Sequence, residues 1–180
     1  MSQKDFTLMN ALEKLNRELA KESMLIHLSI IGRYAFFLSG IGSLATLDID
    51  TVTSIDDRVI QKICEIGESE GLSPDWLNSN AEILPLPEGF QSRLVDGTHY
   101  SNIKIKYASR IDLIALKSAA YVSRGEDDPK DYQDLKLLKP NDFEIEAAIN
   151  YIRTHYSPPV SKFFPDFEEK LDELRLIPKK

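Results

Sequence analysis

The sequence predicts an α/β protein: a small mixed β-sheet flanked by helices, with a helical C-terminal part. Two short segments rich in β-branched residues, 25–31 and 47–53, alternate with segments of helical periodicity. A third segment, 103–107, alternates apolar and polar side chains, and helical patterns follow it from residue 112 onward. This order of strands and helices favours a sheet covered by helices.

Five elements are predicted in the first part of the chain, and glycines or polar caps bound them. Apolar side chains at steps of three and four indicate helices, and β-branched or alternating runs indicate strands. The patterns predict a helix, a strand, a short helix, a strand and a helix at residues 5–21, 25–31, 33–38, 47–53 and 54–71. Gly40 and Gly42 close the short helix, and Ser54 is the expected N-cap of the third helix.

The second part of the chain begins with a looser stretch, 72–99, which prolines and glycines interrupt. Short strands are predicted at 81–86 and 91–95, and a clear strand at 103–107. Helices are predicted at 112–123, 130–138 and 141–156, and in a last amphipathic segment that carries Phe163, Phe167, Leu171 and Leu174. Asn141 and Glu144 have the spacing of a capping box. We expect one domain over residues 1–140 and a helical extension over 141–180.

Composition excludes several classes of protein. The 180 residues include 22 Lys+Arg and 29 Asp+Glu, and the net charge of −7 argues against an extensive nucleic-acid surface. One cysteine excludes an intramolecular disulfide and a thiolate zinc site. No apolar run approaches the roughly 20 residues that cross a bilayer, and the N-terminus has no apolar signal-peptide core. We therefore expect a cytoplasmic protein without a membrane partner.

A glycine turn and two nearby carboxylates are the most informative features. Asp48 and Asp50 are two residues apart in a predicted strand, so both side chains would point to one face. Their mutual repulsion favours a divalent cation such as Mg²⁺, which prefers oxygen ligands. Gly32, before a short helix, would let phosphate oxygens approach backbone N–H groups. Solvated acids near a turn are the alternative interpretation of this pair.

Four ordered segments carry a resemblance to a known family, and together they extend over roughly residues 25–140. They are residues 30–40 with 46–50, then 71–78, 115–124 and 130–135. The first resembles the opening of the nucleotidyltransferase superfamily, in which a strand, a glycine turn and a short helix precede an Asp-x-Asp strand. The later segments resemble the AbiEii-like branch and its uncharacterised relatives, including a closing signature of Lys, Arg and Asp-x-x-Asp.

The resemblance implies a nucleotidyltransferase fold, Mg²⁺ as cofactor, a nucleoside triphosphate as donor and an acceptor that it does not name. Asp48 and Asp50 match the family's catalytic, metal-binding carboxylates, and Gly32 matches the first glycine of the phosphate turn. Some members of the branch resemble toxins of toxin–antitoxin pairs, which implies a cognate antitoxin as a partner.

The closing signature supplies the remaining candidates. Lys117 matches the helix lysine, whose cation would meet a triphosphate or a carboxylate. Arg124, Asp131 and Asp134 match the residues that follow it, with Arg124 as a candidate for phosphate binding, and a structural ion-pair network is as consistent with the three as a catalytic role.

This sequence departs from the family pattern in two places. Arg33 replaces the second small residue of the turn, where it would either grip a phosphate or fill its space. The strand expected to carry a third carboxylate, 103–107, offers Lys104 and Lys106 instead. Asp96 and Asp112 lie nearby in the sequence only. Two hypotheses follow: a Mg²⁺-dependent nucleotidyltransferase, and a catalytically degenerate module that binds nucleotide or protein.

Overall fold

A computed structural model of the chain describes residues 3–41, 46–124, 129–156 and 166–179. Gly42 and Phe163, two positions used in the predictions, lie outside these ranges. The chain divides into two compact units. The first unit comprises the described residues up to Leu84 and the segment Gln91–Ala108, and the second comprises Pro85–Phe90 and the described residues from Ser109 onward.

The first unit is a five-stranded mixed sheet with helices. In chain order its elements are α1 (Gln3–Lys21), β1 (Ile26–Ile31), α2 (Gly32–Leu38), β2 (Ile49–Thr51), α3 (Asp57–Glu70), β3 (Leu77–Asn78), β4 (Val95–His99) and β5 (Ile103–Tyr107). A one-turn helix, α4 (Phe90–Arg93), lies where the chain re-enters this unit. The mixed sheet flanked by helices confirms the predicted fold class.

The strand order in the sheet is β3-β2-β1-β5-β4. β1 pairs in parallel with β5 and antiparallel with β2, and β4 pairs antiparallel with β5. One face of the sheet is apolar and buried, and it is formed by Leu28, Ile30, Ile49, Ile103 and Ile105. The other face carries polar side chains, because strand residues alternate between faces.

Helices α1 and α3 pack on each other and contribute further buried residues to the core of the first unit. Helix α3 begins after Asp56, whose carboxylate accepts a hydrogen bond from the Arg58 N–H, so the prediction of Ser54 as N-cap was wrong. The helix ends at Gly71 in the left-handed conformation, as predicted. An N-cap residue lies directly before the first helical residue, where its side chain can reach the N–H groups of the first turn. Asp56 has this position, and Ser54 is two residues too early.

The stretch 72–99 differs from its prediction. No strand forms at 81–86, where residues 81–83 make a turn, and residues 91–93 belong to α4 rather than to a strand. The strands of this stretch are β3 and β4 instead. Trp76 anchors the segment before β3: it is fully buried, and its indole N–H donates to the Ile63 carbonyl over 2.9 Å.

The second unit is helical. Its helices are α5 (Arg110–Arg124), α6 (Pro129–Leu138), α7 (Asp142–Tyr156) and α8 (Phe167–Arg175), and α5 packs against the other three. The predicted capping box is present, since the Asn141 side chain accepts from the Glu144 N–H and the Glu144 side chain accepts from the Asn141 N–H, each over 2.9 Å. The boundary at residue 140 between a first domain and an extension stays a prediction.

Candidate functional site

The bend between β1 and α2 brings a carboxylate against a glycine. Gly32 has φ +69°, a conformation that L side chains rarely adopt. In the β1–β2 register Ile31 lies opposite Asp50, which places the Asp50 side chain beside the start of α2. A Cβ atom at position 32 would lie 2.9 Å from Asp50 Oδ2. The backbone conformation therefore favours glycine here, and any larger residue would also have to displace the Asp50 carboxylate.

Asp50 is also held from its other side. Asn78 lies opposite it in the β2–β3 register, and the Asn78 amide donates to Asp50 Oδ1 over 3.2 Å. Asp50 is half-buried. Asn78 was missed as a site residue, although it ends one of the segments that carry the family resemblance. Its contact with Asp50 depends on the pairing of β2 with β3. The sequence does not predict this pairing, because a strand of two residues is too short to show a periodic pattern.

Asp48 and Arg33 flank this contact. Asp48 is exposed and precedes β2, which begins at Ile49 rather than at residue 47, so strand alternation fixes the direction of Asp50 alone. The Thr46 hydroxyl donates to the Asp48 carboxylate. Arg33 is the second residue of α2 and is half-buried. The first unit thus holds all four candidates from the opening of the sequence.

The polar face of the sheet carries lysines where a third acid was sought. Lys106 lies opposite Ser29 of β1 and opposite Asp96 of β4. Its ammonium is 3.6 Å from the Asp96 carboxylate. Asp112, the other acid considered, belongs to the second unit: it is 1% exposed in the first turn of α5 and accepts a hydrogen bond from Ser109.

A compact ion cluster lies within the second unit. The Lys117 ammonium on α5 is 2.8 Å from Asp131 Oδ1 and 2.8 Å from Asp134 Oδ2, both on α6. The two aspartate side chains are 2% and 1% exposed and that of Lys117 is 16% exposed. Burial of this kind requires each carboxylate to be paired. A triphosphate or a carboxylate was predicted as the partner of the Lys117 cation, and in the structure this cation contacts two carboxylates.

Arg124 completes this cluster from its exposed rim. Its Nη1 atom is 3.3 Å from Asp131 Oδ2, and its side chain is 58% exposed. Asp131 Oδ2 is buried and has no hydrogen-bond partner. Its contact with Arg124 is therefore an ion pair that lacks the geometry of a hydrogen bond. Asp131 and Asp134 are i, i+3 neighbours on α6, and both contact the Lys117 cation of α5.

Metal-binding capacity is limited in the described part of the chain. No group of three or more His, Cys, Asp or Glu side chains there is arranged to hold a metal ion. No helix in the same residues is both long enough and apolar enough to cross a membrane. Within the described residues Asp48 and Asp50 therefore belong to no group of three such side chains. Mg²⁺ is commonly bound by one or two carboxylates together with substrate phosphates.

The mixed sheet, the glycine bend and the acid beside it are consistent with a nucleotidyltransferase-like fold. A family model described as "Nucleotidyltransferase of unknown function (DUF6036)" matches residues 6–174. The match extends over nearly the whole chain, and the protein belongs to this family. Comparisons with curated proteins and with solved structures found no match.

Proposed function

We propose that the protein transfers a nucleotidyl group from a nucleoside triphosphate to an acceptor in a Mg²⁺-dependent reaction. The observation that supports this most directly is the contact of Asp50 with the Gly32 bend. It brings together the two features that such a reaction needs, an acidic oxygen and a backbone turn, in a chain that belongs to a nucleotidyltransferase family. Asp48, exposed at the start of β2, is the second carboxylate.

The donor set fits Mg²⁺ that arrives with the triphosphate. Two carboxylates leave most of the octahedral ligand positions to phosphate oxygens and water, which is the usual arrangement for this ion. When bound, Mg²⁺ would neutralise charge on the phosphates. Asp48 and Asp50 would hold the ion, Arg33 would bind a phosphate oxygen, and the Asn78 amide orients Asp50.

The test is calorimetric titration of the protein with a nucleoside triphosphate and Mg²⁺. We expect Asp48→Asn plus Asp50→Asn to abolish Mg²⁺-dependent binding, because the amide removes the charge and keeps the shape. Glu68→Gln is the matched control, since Glu68 is an exposed acid on α3 of the same unit. Unchanged affinity in the double variant would refute the role of the pair.

A catalytically degenerate module is the second candidate. On the polar face of the sheet, β5 presents Lys104 and Lys106 and no carboxylate. Lys106 forms an ion pair with Asp96. A third carboxylate usually serves as base or ligand in two-metal transfer. Binding of Mg²⁺ and triphosphate without release of pyrophosphate, across a panel of acceptors, would favour this candidate over the enzyme.

Finer proposals extend the first. The later segments favour the AbiEii-like branch, and with it a toxin that acts in the cytoplasm and is neutralised by a cognate antitoxin. This proposal rests on the sequence resemblance of the closing signature around Lys117. Growth arrest on expression of the protein, relieved by Asp50→Asn, is the expected result. Normal growth at equal protein level would contradict the toxin proposal and would leave nucleotidyl transfer to the binding test.

A further inference from the structure

Three nitrogen-bearing side chains form a row across the polar face of the sheet. In the register of the strands, Lys104 of β5 lies opposite His27 of β1 on one side and opposite His99 of β4 on the other. Directly opposed residues on neighbouring strands project to the same face, with Cβ atoms about 5 Å apart. His27, Lys104 and His99 therefore stand side by side on three adjacent strands.

A β-bulge brings His99 into this row. Asp96 pairs with Lys106 and His99 pairs with Lys104, so β4 advances three residues while β5 advances two. Without the extra residue, His99 would face away from Asp96 and from the lysines. Bulges re-aim side chains and are over-represented next to active sites. The bulge in β4 thus places an imidazole beside Lys104 on the polar face of the sheet.

The row is accessible and carries cationic character. His27 and His99 are exposed and Lys104 is half-buried. The Tyr100 carbonyl takes one of the three ammonium N–H donors of Lys104, over 3.3 Å. In the next row of the same face, Asp96 offsets the charge of Lys106.

We infer that His27, Lys104 and His99 form a binding site for a phosphate group of a small phosphorylated ligand. A phosphate dianion offers acceptors to an ammonium and to imidazole N–H groups at once, and charge assistance strengthens such hydrogen bonds. A row of this length fits one phosphate group rather than a nucleic-acid backbone, which agrees with the acidic net charge of −7.

The site is distinct from the proposed donor site. His27 precedes Ile31 by four strand residues, which separates the row from the Gly32 bend by about 13 Å. The inference therefore goes beyond the proposed function: the row would bind phosphate whether or not the chain transfers nucleotides. If it does, a phosphate of the acceptor is one ligand that the row would bind.

Histidine NMR tests the inference, because the chain has only three histidines. His155, on α7 of the second unit with its ring 5.0 Å from that of Tyr151, is the internal control. The probe is inorganic phosphate, added without Mg²⁺ at slightly alkaline pH, where the dianion predominates. We expect saturable shifts of the His27 and His99 resonances and none at His155. Chloride at equal ionic strength should not reproduce them.

Variants at Lys104 complete the test. Lys104→Gln should weaken phosphate binding by about fivefold, the effect of losing one partly exposed charge-assisted hydrogen bond, and Lys104→Arg should retain it. Lys21→Gln on α1 removes an exposed charge from the same unit and should change nothing. Equal shifts at all three histidines, equal shifts with chloride, or unchanged binding in Lys104→Gln would each overturn the site. Asp50→Asn should leave it intact, so the donor and phosphate proposals can fail separately.

Discussion

Replacing Gly32 with alanine would measure how strongly the bend depends on Asp50. The chain contains a matched comparison, because Gly32 and Gly71 both have φ +69° and both belong to the first unit. They differ in what a Cβ would meet: Asp50 Oδ2 at 2.9 Å from position 32, and nothing within 4 Å of position 71. The backbone cost of alanine is therefore shared, and the side-chain cost is not.

The magnitudes follow from these contacts. A left-handed conformation costs an alanine about 1–2 kcal/mol relative to glycine, and this is the whole cost that we expect for Gly71→Ala. In Gly32→Ala the carboxylate of Asp50 must also move. Aspartate has a short side chain, so the movement breaks its hydrogen bond from Asn78, worth about 1 kcal/mol. We expect Gly32→Ala to lower the free energy of unfolding by about 2–3 kcal/mol.

Urea denaturation of the two variants gives the comparison, and a double-mutant cycle isolates its cause. In an Asp50→Ala background the clashing oxygen is absent, so Gly32→Ala should cost no more than Gly71→Ala. Titration of Gly32→Ala with Mg²⁺ and a nucleoside triphosphate adds a test of function. If the substitution displaces the Asp50 carboxylate, the variant should bind Mg²⁺ and the triphosphate more weakly than the unchanged protein does. Equal destabilisation by the two single variants, or no coupling between positions 32 and 50, would refute the reasoning.

Three further predictions concern stability. Lys117→Gln leaves the buried Asp131 and Asp134 without their shared cation and should lower the free energy of unfolding by about 3 kcal/mol, measured in urea. Burial raises the pKa of Tyr34 well above its ordinary value of 10.0, so above that pH the unfolded chain loses a proton that the folded chain keeps. Stability should fall with rising pH there, and less steeply in Tyr34→Phe. Asn141→Ala removes an N-cap and should cost about 1 kcal/mol in the same assay.

Each of these predictions has a control. Lys21→Gln removes a lysine that is paired only at the surface of α1 and should cost less than about 1 kcal/mol. Asn150→Ala makes the same substitution at an exposed interior position of α7 and should not destabilise the protein. An effect of Lys21→Gln as large as that of Lys117→Gln, a loss in Asn150→Ala equal to that in Asn141→Ala, or identical alkaline slopes with and without Tyr34 would contradict the respective argument.

Local patterns predicted the elements whose signals are contained in their own residues. β1 and β5 have β-branched or alternating side chains, α3 ends at a glycine, and the capping box at Asn141 needs only a spacing of three. β4 has the sequence Val-Asp-Gly-Thr-His, without an apolar face, and its residues are mostly exposed. It is a strand because β5 offers it hydrogen-bond partners, and pairing with a partner strand cannot be read from a window of single-sequence periodicity.

The same distinction applies to the candidate site. The proximity of the Gly32 bend and Asp50 could be anticipated from a motif, because both belong to one strand–helix–strand unit. The partners of these residues could not. Asn78 reaches Asp50 through the pairing of two very short strands, and Lys117 reaches Asp131 and Asp134 across a helix pair.

Exposure separates the four carboxylates that the family resemblance singled out. Asp131 and Asp134 are almost fully buried and already share Lys117, so a metal ion could bind them only by displacing a cation that the buried charges require. Asp48 is exposed and Asp50, in the middle of β2, is half-buried. A ligand can reach this second pair without breaking the cluster on α5 and α6. The nucleotidyl transfer that we propose therefore belongs with Asp48 and Asp50, and the cluster around Lys117 contributes to the stability of the helical unit.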